Sequence, residues 1–146
     1  MTAESARSSI LLLDTHVLLW SLEEGPRLGS VTKQLINESA RQNRLAVSAI
    51  TPWEIALLVS KDRLNLSHDV TDWVDLALSK PGVTLLPLTP AIAIASTRFP
   101  FEMHSDPADR ILVATARQLG ATLVTADRAL LALGEARNYR ALNAEQ

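Results

Sequence analysis

Apolar residues fall into short unbroken runs and into helical stripes, and the two alternate along the whole chain. Ile10–Leu13 is a short unbroken apolar run ending at Asp14, the pattern of a strand covered on both faces, and Leu45–Ser48, Val83–Leu86 and Thr122–Thr125 are the further strand candidates. Between them the apolar positions recur every three or four residues. Val17–Leu22 predicts a short helix, broken at Glu24-Gly25-Pro26. A second helix is expected from about Ser30 to Asn43, with Val31, Leu35 and Ile36 on one side. Thr51-Pro52-Trp53-Glu54 spells a helix start, with Thr51 as cap, Pro52 first and Glu54 third, and that helix runs to about Lys61. Asp69–Ser79 is helical by the spacing of Val70, Trp73, Val74 and Ala77; Lys80-Pro81-Gly82 is a turn. Thr89-Pro90 and Asp106-Pro107 each open a helix, the latter closed by Gly120, and Asp127–Leu133 is a last short one.

Strands alternating with helices imply a mainly parallel sheet with helices on both faces, a three-layer α/β/α domain. Residues 1–8 are polar and small and read as a flexible tail, which leaves 9–146 as a single domain. A chain of 146 residues, 47% hydrophobic and 21% charged, is long enough for a real core. It has no cysteine, so disulfides, zinc–thiolate sites and thiol nucleophiles are excluded, and a reducing, cytoplasmic setting fits. Asp14 and His16 interrupt the first apolar stretch, which argues against a signal peptide. Nothing approaches the roughly 20 apolar residues of a membrane span. The net charge of −2 counts mildly against a polyanionic substrate, although charge distribution and bound metal outweigh the sum.

Four acids change the picture. Asp14, Glu54, Asp109 and Asp127 each stand where a strand-like segment gives way to a helix-like one. In an open parallel sheet those junctions share one edge, where ligands bind. Helix capping could explain each acid singly: Glu54 with Thr51, Asp109 with Asp106, Asp127 alone. But Glu54 has Leu57 and Leu58 at three and four residues on, Asp109 has Leu112 and Val113, and Asp127 has Leu130 and Leu131. Those offsets share a helix face, so the three acids are expected to point toward the sheet. Arg110, with Ala114 and Arg117, marks a more polar face. Asp14 ends an apolar run, and a buried carboxylate must be paired, protonated or bound to metal. A divalent cation satisfies all four; oxygen ligands suit Mg²⁺ or Mn²⁺, whereas the absence of cysteine and of paired histidines disfavours zinc. Such a site suits phosphodiester hydrolysis.

These motifs resemble those of the PIN domain, and specifically of the VapC-like toxin ribonucleases of bacterial toxin–antitoxin pairs. LLLDTHVLLW, SAITPWEIALL, DPADRILVATA and LVTAD match its four motifs in order, from about Ile10 to Leu142. The resemblance implies that Asp14, Glu54, Asp109 and Asp127 bind Mg²⁺ (or Mn²⁺) and that a metal-activated water hydrolyses RNA. It implies that Thr125 positions a water or a neighbouring carboxylate. It also implies a homodimer, silenced by a small cognate antitoxin that occupies the active-site groove. Arg110 and Arg128 then contact RNA phosphates or the antitoxin, or are plain solvated arginines. Val31–Ile36 and Trp53–Leu58 are candidate partner surfaces. Asp106 reads as an N-cap before Pro107, His16 as a packing residue, and Trp53 and Trp73 as core or interface. His68 and His104 fall in loop contexts.

Rival readings have weaker support. A haloacid-dehalogenase-like phosphatase needs Asp-x-Asp at the first strand, and the second position is His16. No Gly-x-Gly-x-x-Gly follows that strand and no Gly-x-Ser-x-Gly occurs. A catalytically silent PIN-like binding module is expected to have lost an acid, and none is missing.

Overall fold

The computed structural model describes Ala6 and residues 8–23 and 26–146. Strands β1 (Leu11–Leu13), β2 (Leu45–Ser48), β3 (Val83–Leu86), β4 (Thr122–Thr125) and β5 (Arg140–Asn143) form one sheet in the order β3-β2-β1-β4-β5. Every pairing is parallel. The connections carry helices α1 (Thr15–Glu23), α2 (Ser30–Arg41), α3 (Ile50–Ser60), α4 (Val70–Leu78), α5 (Pro90–Ala95), α6 (Pro107–Leu119) and α7 (Arg128–Glu135).

Successive side chains of a strand point to opposite faces, and here that alternation builds two cores. Leu11, Leu13, Val47 and Val124 pack with Val17, Leu35, Ile55 and Trp73 from α1 to α4. Leu12, Ala46 and Leu123 pack on the opposite side with Leu112, Val113 and Leu130 from α6 and α7. Short α5 lies against α6 through Ile92, Ile111 and Ala114. The three-layer α/β/α arrangement is the expected one. Its central strands are buried on both faces, which is why they read as unbroken apolar runs.

From β1 the chain winds outward through β2 to β3, then crosses back to place β4 on the other side of β1. Leu13 is level with both Val47 and Val124. The connections leaving β1 and β4 therefore diverge, and a crevice opens at their carboxyl ends, as such switch points require.

Several expectations need correction. Helix α1 begins at Thr15, two residues early, because the Asp14 carboxylate accepts the Val17 N–H at 2.9 Å and caps it. Helix α3 begins at Ile50, and Thr51 is no cap: its hydroxyl is buried without a hydrogen-bond partner. The Ser48 hydroxyl accepts the Ile50 N–H instead, so the Thr51–Glu54 capping box does not form and Glu54 is left free. Strand β5 was not foreseen, since only Leu142 of its four residues is buried. Most of the expected tail lies outside the described residues, but Ala6 is fully buried in the first core.

Candidate active site

The crevice is a cavity of about 660 Å³ lined by acids from four separate connections: Asp14, Glu54, Asp106 with Asp109, and Asp127. Asp14 is buried at its floor, 8% exposed. One of its oxygens caps α1, and the other accepts the Thr125 hydroxyl at 2.5 Å. The Thr125 oxygen in turn accepts the Asp127 N–H at 3.1 Å. Thr125 is itself fully buried, so it ties the ends of β1 and β4 together beneath the cavity. Asp127 caps α7 by accepting the Leu130 N–H; it is exposed and lines the cavity.

In the same cavity Glu54, Asp106 and Asp109 each offer a carboxylate oxygen within 4.8 Å of the others. Asp106 caps α6, accepting the Asp109 N–H at 2.9 Å, and this carries it beside Asp109. Its capping role and its place among the acids therefore coincide. His104 belongs here too, although its loop context gave no sign of it. Its Nδ1 accepts the Asp106 N–H at 3.3 Å, and its Nε2 lies 3.5 Å from the Asp109 carboxylate.

So much negative charge in a partly closed space raises its own cost. Burial, then Asp106, Glu54, Asp127 and Asp14 in turn, push the Asp109 carboxyl up to about 7. Burial also pushes Glu54 up, opposed by the nearby Thr15 hydroxyl, which lacks a properly aligned hydrogen bond. At Asp14 burial again raises the value, against the Thr125 hydroxyl and the Val17 N–H. The described residues include one ion pair to these acids, from His104. An all-oxygen cluster of this kind fits a hard divalent cation.

The two candidate arginines behave differently from the expectation. Arg110 donates to the carbonyls of Ser96, Met103 and His104 at 2.7–3.1 Å and covers the Phe99 ring. Its supposed polar partner Ala114 is fully buried. The guanidinium thus braces the loop that presents His104 and Asp106. Arg110→Met is expected to cost about 2–3 kcal/mol of stability, because hydrogen bonds to a charged donor are lost; urea unfolding measures it. Arg128 is exposed and is not among the residues lining the cavity. His16 and Trp53, read as packing residues, are both exposed and both line it. Trp73 is buried core, as expected.

Comparison with known proteins agrees with this architecture. Residues 11–136 match the PIN domain, and the chain belongs to that family. It is 36% identical to ribonuclease VapC22 of Mycobacterium tuberculosis over 120 residues, 82% of this chain and 88% of that protein. Its fold is similar to that in the crystal structure of VapBC2 from Rickettsia felis bound to a promoter DNA fragment. There the TM-score is 0.67 at 18% identity, covering 91% of this chain and 97% of the other. The crystal structure of FitAcB from Neisseria gonorrhoeae gives 0.60 at 22% identity over 92% and 97% of the two chains. Family membership sets aside the phosphatase alternative. No described helix is long and apolar enough to cross a membrane.

Proposed function

We propose that this chain is a metal-dependent endoribonuclease, the toxin of a toxin–antitoxin pair, acting in the cytoplasm. The observation that carries this reading is the cavity in which acids from four connections converge, three of them within 4.8 Å. Homology to a protein named a ribonuclease supports the reaction class. Asp14, Glu54, Asp109 and Asp127 hold Mg²⁺ or Mn²⁺, and Asp106 is placed to join them. When bound, the ion lowers the pKa of a water and neutralises charge on the phosphodiester oxygens. Asp14 is fixed by two hydrogen bonds, and Asp109, whose carboxyl burial and its acidic neighbours push up to about 7, would have to be deprotonated to hold a cation.

Thr125 acts through Asp14 and is a positioning residue. Thr125→Val is expected to weaken cation affinity about 10- to 100-fold, the usual cost of losing a group that orients a ligand. Thr125→Ser should restore most of it, and calorimetric titration with Mn²⁺ measures both. A Val variant that binds the ion like the parent would remove Thr125 from this role.

Likeness in fold to VapBC2 and FitAcB, together with the identity to VapC22, supports a small antitoxin as the inhibitor, with the chain itself as a homodimer. The direct test of function is incubation with a mixed RNA pool. Cleavage is expected with Mg²⁺ or Mn²⁺ and is expected to stop with EDTA. A metal-loaded preparation that leaves RNA intact would mean a silent binding module.

A further inference from the structure

The wall of the same cavity also carries positive charge. Arg27, Lys61 and Arg63 line it together with Trp20 and Trp53. Helix α3 has apolar residues all round, yet only Thr51 and Ile55 of it are buried. Trp53 is 48% exposed, so its indole is not spent on the core. Lys61 lies at the carboxyl end of α3, where a cation offsets the helix dipole. That explanation does not extend to Arg63, beyond the helix, or to Arg27, from the segment before α2. The Arg27 guanidinium is instead stacked 4.2 Å from the Trp20 ring centroid, which holds it at the cavity wall. Among the described residues the side chains of Lys61 and Arg63 have no hydrogen bond or ion pair; only their backbone N–H groups are bonded, to Leu57 and Leu58. The chain therefore spends three cations and an exposed indole on the wall of the cavity that holds its acids, in a molecule of net charge −2.

We infer that this wall is a subsite for single-stranded RNA, with one base stacked on Trp53 and flanking phosphates held by Arg27, Lys61 and Arg63. The inference rests on the ribonuclease reading and names the form of RNA accepted. Cations that track a backbone beside an aromatic platform are the elements of single-strand recognition. A duplex keeps its bases stacked inside and cannot offer one to Trp53 without unpairing.

The test uses Asp14→Asn protein, so that RNA is bound without being cut, and short single-stranded and duplex oligonucleotides of one sequence. Single-stranded RNA is expected to quench tryptophan fluorescence. Trp53→Ala in that background should raise its Kd about tenfold, with Trp53→Phe recovering part of the loss. Lys61→Ala with Arg63→Ala should lower the salt slope of log K by about 1.4, for two single-strand phosphates. Manganese affinity, measured with Asp14 intact, should be unchanged by all three sets of substitutions. All are surface positions, so the fold is expected to survive, and circular dichroism checks it. Unchanged Kd and slope, with wild-type protein still cleaving RNA, would overturn the subsite and leave the ribonuclease reading intact. The same holds if these variants lose only the binding of an inhibitory protein. Equal binding of duplex and single strand would also overturn it. A wild-type protein that neither cuts nor binds RNA would sink both.

Discussion

Asp14→Asn is expected to lower the rate of metal-dependent RNA cleavage by more than about 100-fold, beyond the usual cost of disturbing a group that merely orients a ligand. The fold should not suffer. The amide oxygen can keep the Val17 N–H that caps α1, and the amide nitrogen can face the Thr125 hydroxyl oxygen. What disappears is a buried negative charge that no Lys or Arg among the described residues pairs with, His16 offering it partial electrostatic relief. Burial already pushes the Asp14 carboxyl up, so the native fold tolerates the neutral side chain better than the ionised one at neutral pH. The variant should accordingly melt no lower than the parent in the absence of metal. Paired melting curves and cleavage rates check the combination. Loss of activity accompanied by a large drop in melting temperature would assign Asp14 to structure instead.

Titrating pH with and without Mn²⁺ should reveal the second large effect. The Asp109 carboxyl has an ordinary value of 3.8 and stands at about 7 in the folded chain, through burial and then its acidic neighbours. Between those values the native state holds a proton that the unfolded chain has released. Metal-free stability from this group is therefore full below about pH 4, falls as pH rises and is gone above about 7. Glu54 and Asp14 are shifted in the same direction. A divalent cation substitutes for those protons, and its affinity rises with pH until they are gone. The melting shift caused by Mn²⁺ should be much larger at pH 8 than at pH 5, and the metal-free melting temperature should decline over the same range. A metal-free protein that became more stable between pH 5 and 8 would contradict the cluster's electrostatics.

How much of this could be read from the chain depended on the range of the interactions involved. Strands β2 and β4 carry their burial in the run of residues itself, and β3, a half-exposed edge strand, is still legible from its Val and Leu; all three have the limits expected from Leu45–Ser48, Val83–Leu86 and Thr122–Thr125. Asp106 and Gly120 bracket α6 because capping is local: the Asp106 side chain meets a backbone three residues on, and Gly120 takes the left-handed conformation at φ 62°. Edge strand β5 failed the same test, since its pairing with β4 leaves little side-chain burial to leave a pattern. The Thr51 start signal was overridden by Ser48, a partner one turn earlier. At the site, the acids were legible because each ends a recognisable strand or opens a helix. His104, His16 and the basic wall were not. They reach the cavity from loops and helix ends whose direction depends on tertiary packing, and nothing in their neighbouring residues encodes it.

The bridge from Thr125 to Asp14 joins residues 111 positions apart, and this separation governs when the site can exist. Strand β1 finds β2 early, but its other neighbour, β4, comes near the end of the chain. Closing so long a loop is slow compared with local pairing. A chain emerging from the ribosome and complete only through α5 contains Asp14 and Glu54, yet lacks Asp109, Thr125 and Asp127 and has no cleft. The order of synthesis thus leaves the chain without a complete site until Asp127 has been made.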